Sequence, residues 1–169
     1  VSEGFDYEII EKAYKPYQDL SLLVLLKANG SIEKKIIGSV VESIEADTSN
    51  TTYWNRLIEI FTSPSLQMVS FTITEKGYSL VDSKGEYLSF VLKDFIYGPK
   101  APNHIMGKIT ALMYERFLKR EEKIALVSMD NCSHNGDKLR ASVLTYAKEW
   151  EKSGFVSKEF VAYLSDETK

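Results

Sequence analysis

The sequence predicts an α/β domain with three layers and a mostly parallel sheet, to which an antiparallel hairpin is added. Two blocks, over 66–74 and 123–129, run from a strand into a polar loop, and a long helix lies between them. Such alternation favours parallel pairing, because a parallel pair needs a crossover connection. The 169 residues, of which 44% are hydrophobic, suffice for one ordinary domain with a core.

The charge and residue counts exclude several classes of protein. Lys+Arg 21 against Asp+Glu 24 gives a net charge of -3. A protein with this charge lacks the excess of basic residues that nonspecific binding to nucleic acid requires. The single cysteine, Cys132, excludes an intramolecular disulfide, and with His134 it supplies too few ligands for a zinc site. The apolar run Leu22–Leu26 is too short to span a bilayer. We therefore expect a cytoplasmic domain without a metal, and with neither nucleic acid nor membrane as a partner.

The first part of the chain predicts a short helix and then a hairpin. Apolar residues recur at helical spacing within Ile9–Tyr17, after an acidic stretch that suits a helix start. The run Ser21–Lys27 is too short for an ordinary helix and predicts a buried strand. The pair Asn29-Gly30 separates it from a second strand-like run over 32–41. An Asn-Gly pair between two such runs is the strongest short-range hairpin signal, because both residues tolerate a positive φ.

The later elements are predicted from cap residues and apolar spacing. In chain order they are a helix with its N-cap within 47–50, a strand over 66–74, a turn at 82–85, a mostly irregular stretch over 86–102, a long helix over 103–120, a strand over 123–129, a helix capped by Asn135, and a last helix capped by Ser157.

Two polar loops, 74–78 and 130–136, follow the predicted parallel strands. Ligands of such folds bind beyond the carboxyl ends of the strands, so both loops are candidates for a site. The amide of Asn131 either stabilises a developing oxyanion without titrating or satisfies loop backbone groups. Glu75 and Lys76 are either a general acid–base with its charge partner or an ordinary exposed ion pair. The residue types alone leave both questions open.

Glu3 is a candidate for the acidic residue that binds a ribose hydroxyl at the end of a Rossmann strand. The alternative is that it belongs to the acidic start of the first helix. No G-x-G-x-x-G occurs in the chain, so the glycine fingerprint of a dinucleotide site is absent from these residues.

Two segments resemble a known family. VSFTITEKGYSL (Val69–Leu80) and IALVSMDNCSHNGDKLRASVLTYA (Ile124–Ala147) carry the patterns T-x-T-E-K-G-Y and S-x-D-N-x-x-x-N-G. Both occur, in this order and with a comparable spacer, in the polyol-specific long-chain dehydrogenases, which include mannitol dehydrogenases and the fructuronate and tagaturonate reductases. The stretch Asp19–Val40 is similar to the hairpin that precedes these motifs in that family.

The resemblance implies that residues 1–169 are part of the Rossmann-like NAD(P)-binding domain of an oxidoreductase. Its substrate would be a sugar alcohol or sugar acid, of the mannitol/fructose or mannonate/fructuronate type, and its cofactor NAD, with NADP left open. Asn131 would then be catalytic, holding the substrate oxygen in an oxyanion site beside the cofactor. Glu75, with Thr74 and Lys76, would lie beside the nicotinamide and the substrate, and Glu3 would bind the cofactor.

The chain departs from the family in two respects. The glycine-rich phosphate loop would lie upstream of Val1, and the catalytic lysine of the family, on a helical C-terminal domain, has no counterpart here. We therefore expect a piece of a longer enzyme that is inactive alone, because hydride transfer needs cofactor, substrate and proton carrier in register. The alternative from another class is a non-catalytic α/β module for binding or assembly.

Overall fold

Residues 8–166 are described by the computed structural model, in which the chain divides into two units between Asp47 and Thr48. The first unit is described over 8–47 and the second over 48–166. No helix in these ranges is both long enough and apolar enough to cross a bilayer.

The first unit contains the predicted hairpin. Strands β1 (Ser21–Leu26) and β2 (Ile32–Ile37) pair antiparallel along their whole length. Gly30 takes a φ of +80° in the turn between them, which only a residue without a Cβ adopts freely. Helical turns at Ile10–Tyr14 and Lys15–Tyr17 occupy the stretch where a helix is predicted.

The prediction that β1 is buried is wrong. All six of its residues are exposed, and Leu26 is 78% exposed. A two-stranded hairpin has no second layer of its own, so an apolar run within it does not imply a buried strand.

The second unit is built around a parallel pair of strands. Strands β3 (Met68–Phe71) and β4 (Ala125–Ser128) are in register, so that Phe71 lies opposite Ser128 at their carboxyl ends. Helices occupy the connection between the two strands, as a parallel crossover requires. The predicted mixture of helices, a parallel sheet and an antiparallel hairpin is confirmed.

Over 48–166 the second unit has six α-helices. They are α1 (Thr51–Phe61), α2 (Thr74–Tyr78), α3 (Ser89–Tyr97), α4 (Ile105–Lys119), α5 (Asn135–Lys152) and α6 (Lys158–Ser165). Asn50 caps α1 as predicted, because its side-chain oxygen accepts a 3.2 Å hydrogen bond from the N–H of Tyr53. Ser157 stands at the N-cap position of α6, also as predicted.

Helix α3 corrects the expectation that 86–102 is mostly irregular. Val91 and Phe95, four residues apart, are both buried on one face of this helix. Asp94, next to Phe95, is itself only 1% exposed. A charged residue therefore takes a buried position on this helix, and the apolar spacing that would have predicted the helix is interrupted.

The buried carboxylate of Asp94 joins α3 to the start of α4 and to α5. It accepts hydrogen bonds from the backbone N–H of Asn103 at 2.8 Å and of His104 at 2.9 Å. The side-chain N–H₂ of Asn103 donates a third at 3.1 Å and the hydroxyl of Tyr146 a fourth at 3.0 Å, and the indole N–H of Trp150 donates to the backbone carbonyl of Asp94. A buried charge is tolerated because every oxygen is satisfied in this way.

Arg116 of α4 is another buried charged residue, and it too is 1% exposed. Its guanidinium donates to backbone carbonyls that precede the two parallel strands: those of Phe61, Ser63 and Leu66 ahead of β3, and those of Glu122 and Lys123 ahead of β4. One side chain thus ties together the chain segments that lead into the sheet.

Candidate active site

The two polar stretches predicted as loops meet at the carboxyl ends of β3 and β4. The prediction is wrong in one respect, because β3 already ends at Phe71 and residues 74–78 form the short helix α2. The carboxylate of Asp130 reaches across and accepts hydrogen bonds from the backbone N–H of Ile73 at 2.9 Å and of Thr74 at 3.0 Å. The N–H of Met129 donates to the carbonyl of Phe71 at 2.8 Å, which continues the strand pairing toward the loops. The structure therefore brings the predicted loops together along one rim of the sheet.

Tyr78 anchors this junction from the buried side. It is 2% exposed, its hydroxyl donates a hydrogen bond to Asp130, and Oγ of Ser128 lies 2.7 Å from the same hydroxyl. Oγ of Ser142 on α5 donates to the carbonyl of Tyr78 at 2.6 Å. The ring and the backbone of Tyr78 are thus both fixed.

The charges at the junction are set by these contacts. Burial, and next the hydrogen bond to Asp130, raise the pKa of Tyr78 to about 12. The hydrogen bond from Tyr78, and next that from the N–H of Ile73, hold the pKa of Asp130 below its usual value. At neutral pH the pair is therefore a neutral phenol and a carboxylate.

Thr74 begins α2 with a φ of +63°. A β-branched residue rarely takes a positive φ, because its Cβ crowds the backbone there. The N–H of Thr74 is one of the two that Asp130 binds, so the unusual conformation lies where the carboxylate holds the loop.

The second asparagine of the D-N-x-x-x-N pattern shapes the other loop. The prediction that Asn135 caps the following helix is wrong: His134, at a φ of +55°, stands in the cap position and Asn135 is the first helical residue. The side-chain N–H₂ of Asn135 donates to the carbonyl of Asp130 at 2.7 Å and to that of Ser128 at 3.4 Å. The asparagine therefore folds the loop back on itself, because its amide donates as well as accepts.

Four of the five predicted site residues lie along this rim. Asn131, next to Asp130, is exposed, and so are Thr74, Glu75 and Lys76. Glu3 lies outside the described residues. The arrangement presents a neutral amide and an acidic side chain on neighbouring loops, which suits polarisation of a carbonyl or alcohol oxygen.

The carboxylate of Glu75 forms an ion pair with Lys138 of α5, and not with the neighbouring Lys76. The hydrogen bond from Lys138 to Glu75 raises the pKa of the Lys138 ammonium. Cys132 is half-buried and His134 contacts Asp137, and within 8–166 no group of three His, Cys, Asp or Glu side chains is placed to hold a metal ion.

Four residues of this junction are not foreseen from the sequence: Asp130, Tyr78, Ser128 and Lys138. The chain separates the partners by 50 or more positions, so no local spacing pairs them. Their only sequence signal is that three of them belong to the two patterns that contain the candidate residues.

Comparisons with known proteins agree with the resemblance of the two motifs. The chain is 50% identical over 164 residues to the D-mannonate oxidoreductase of Thermotoga maritima, which is 97% of this chain and 30% of the relative. It is 29% identical over 147 residues to the D-mannonate oxidoreductase of Escherichia coli, covering 86% of this chain and 29% of the relative. No family model matches the chain.

A solved structure shows the same fold. A ternary complex of Pseudomonas fluorescens mannitol 2-dehydrogenase with NAD and D-mannitol has a TM-score of 0.76 and 25% identity, over 96% of this chain and 31% of that one. The predicted resemblance to the polyol-specific long-chain dehydrogenases is confirmed by these matches. The chain spans about 30% of the length of the curated relatives it matches.

Proposed function

We propose that this chain forms part of the cofactor-binding region of a longer oxidoreductase, which transfers a hydride between NAD and a sugar acid of the mannonate type. The observation that carries the proposal is the rim where Asp130 joins the two motif loops, with Asn131 exposed beside it. The 50% identity to a protein named D-mannonate oxidoreductase favours a sugar acid over a sugar alcohol. The single cysteine of the chain suits a reducing compartment, and we place the enzyme in the cytoplasm.

The residues of the rim fit the nicotinamide end of the cofactor. Exposed polar side chains at the carboxyl ends of parallel strands are where α/β domains bind ligands. The same residues do not provide a site for the pyrophosphate of the cofactor, which usually binds a glycine-rich loop, since no G-x-G-x-x-G occurs in this chain. We therefore assign Thr74 and Glu75 to the nicotinamide side, and Glu3 to the ribose hydroxyl.

The chemistry at the rim divides between this chain and the rest of the enzyme. The side of the rim formed by Thr74 and Glu75 would hold NAD, which would supply the acceptor for the hydride of the secondary alcohol carbon. Asn131 donates a hydrogen bond to the substrate oxygen and stabilises the negative charge that develops there, without itself titrating. Glu75 and Lys76 orient the substrate. The proton of the alcohol leaves to a base outside this chain, so we expect residues 1–169 alone to be inactive.

The test replaces Asn131 in the full-length protein that contains this chain. We expect Asn131→Ala to lower kcat/KM by about 10²–10³-fold, as removal of one oxyanion donor does. The assay follows NAD and NADP separately with mannonate, fructuronate, mannitol and fructose. Asn55→Ala, an exposed asparagine on α1, is the matched control and should keep the wild-type rate.

Two outcomes contradict the proposal. An unchanged kcat/KM in Asn131→Ala removes the amide from the oxyanion site. A full-length wild-type protein with no nicotinamide-dependent activity on any of the four sugars favours the alternative, a non-catalytic module for binding or assembly.

A further inference from the structure

We propose that Asp130 is a positioning residue: its carboxylate holds Thr74 in its unusual backbone conformation and so sets the place of the exposed residues 74–76 relative to Asn131. Asp130 need not contact a ligand to do this, because it acts through the two loops that it joins. The effect on turnover rests on the proposed function, whereas the effect on the backbone does not.

The side chain and the backbone carbonyl of Asp130 accept hydrogen bonds from different segments. Its side-chain oxygens accept from the N–H groups of Ile73 and Thr74, one on each oxygen. Its backbone carbonyl accepts from the side chain of Asn135 at 2.7 Å and from the N–H of Cys132 at 3.0 Å. The residue therefore transmits the position of one loop to the other, with Asn131 immediately next to it.

Only a carboxylate satisfies both backbone groups. It accepts at both oxygens, whereas the amide of an asparagine accepts at one end and donates at the other. In Asp130→Asn, one of the two N–H groups would face an N–H₂ group, so one of the two hydrogen bonds is lost. The φ of +63° at Thr74 is then held by fewer contacts, and the backbone of Thr74 is free to leave the left-handed region, which moves residues 74–76.

Tyr78 fixes the carboxylate from the buried side. Its hydroxyl donates to the same oxygen that accepts from Ile73. Tyr78 is the last residue of α2, and Thr74 is the first. Tyr78→Phe removes this contact, together with that to Oγ of Ser128, and leaves both backbone hydrogen bonds to Asp130 in place. The two substitutions therefore weaken the junction by different amounts.

The first experiment measures amide hydrogen exchange in the full-length protein, at Ile73 and Thr74. Exchange should be faster in Asp130→Asn than in the wild type, and intermediate in Tyr78→Phe. Asp137→Asn, the same change at a side chain that is 82% exposed on the first turn of α5, should exchange like the wild type. Unchanged exchange at both amides in Asp130→Asn would overturn the proposal.

The second experiment measures steady-state kinetics with mannonate and NAD, well below the Tm of each variant. We expect kcat of Asp130→Asn to fall by about 10²-fold, with a change of less than about 3-fold in either KM, because misplacement of reacting groups affects the transition state most. Tyr78→Phe should lose less than about 10-fold. A lower Tm with wild-type kcat would show a merely structural role and overturn the kinetic claim.

The two readouts separate this proposal from the proposed function. An inactive wild-type enzyme contradicts the proposed function and the kinetic claim together, while exchange still decides whether Asp130 holds the backbone. An active enzyme whose exchange and kcat are both unaffected in Asp130→Asn contradicts the positioning role alone.

Discussion

The hydroxyl of Tyr146 donates a 3.0 Å hydrogen bond to the carboxylate of Asp94, and both residues lie in the interior of the second unit. Burial, and next the charge of Asp94, raise the pKa of Tyr146 far above its ordinary value. The contact places a charge at the centre of the packing between α3, α4 and α5, where its loss has a large and measurable cost.

We expect Asp94→Ala to lower the free energy of unfolding by about 3–5 kcal/mol, as loss of one partner from a buried charged network does. The N–H groups of Asn103 and His104 and the hydroxyl of Tyr146 would all lose their acceptor. Tyr146→Phe removes one donor and should cost about 1–2 kcal/mol. Urea denaturation measures both values, and equal losses in the two variants would contradict this account of the network.

Replacement of Arg116 should lower the free energy of unfolding by as much as replacement of Asp94. Arg116→Met removes the donor that five backbone carbonyls share, although those of Ser63 and Glu122 have a second donor, and should cost about 3–5 kcal/mol in the same assay. Arg116→Lys should recover only part of the loss, because an ammonium lacks the planar fork that reaches carbonyls on two segments. The control is Arg56→Met, since the exposed ion pair of Arg56 with Glu59 is worth under about 1 kcal/mol. A loss as small as that of the control would show that the carbonyls find other donors.

Gly98 and Gly85 allow a comparison of two glycines with positive φ, +75° and +83°. A Cβ at Gly98 would lie 2.7 Å from the ring of Phe155, whereas at Gly85 it meets nothing within 4 Å. Gly98 also has a ψ of -163°, a region that only glycine occupies readily. We expect Gly85→Ala to cost about 1–2 kcal/mol and Gly98→Ala to cost about 1–3 kcal/mol more. A thermal melt of each variant tests the difference.

The double variant Gly98→Ala with Phe155→Ala separates the clash from the backbone. If the ring is the obstacle, the alanine at 98 costs less in the Phe155→Ala background than in the wild type. Identical costs in the two backgrounds would assign the whole effect to the backbone.

Tyr78 provides a prediction for alkaline pH. Its pKa of about 12 lies above the ordinary value of 10.0, so the folded state keeps a proton that the unfolded state loses first. The contribution of Tyr78 to stability is therefore complete below about pH 10 and is lost as the pH rises toward 12. The absorbance of phenolate at 295 nm, as wild type minus Tyr78→Phe, should have its midpoint near 12. A midpoint near 10 would mean that the phenol is not buried against a carboxylate.

Local signals in the sequence are enough to predict the hairpin, the parallel strands and the rim. The pair Asn29-Gly30 and the cap at Asn50 act within a few residues, so their effect is visible in the order of the side chains. The placement of the two polar loops follows from parallel pairing alone.

Other features depend on contacts that local spacing does not carry. The spacing of apolar residues does not predict α3, because it includes the buried Asp94, whose carboxylate is satisfied by donors from His104, just ahead of α4, and from Tyr146 of α5. Asn135 has the residue type of a cap, but its amide turns toward the carbonyl of Asp130 instead. The exposure of β1 likewise reflects that, over 8–47, no second layer packs on the hairpin, which an apolar run in the sequence does not indicate.

Arg116 and Asp130 bind opposite ends of the same strand pair, the cation at the segments that lead into β3 and β4 and the anion at the segments that leave them. With four paired residues in each strand, the ladder alone holds its alignment weakly, and a slip by one residue would reverse every side chain. A slip in either direction would break hydrogen bonds between the backbone carbonyls and Arg116, and also those between the backbone N–H groups and Asp130. The two charged residues thus oppose sliding of the strands from both ends, so the exposed residues beyond the strands keep their positions relative to one another.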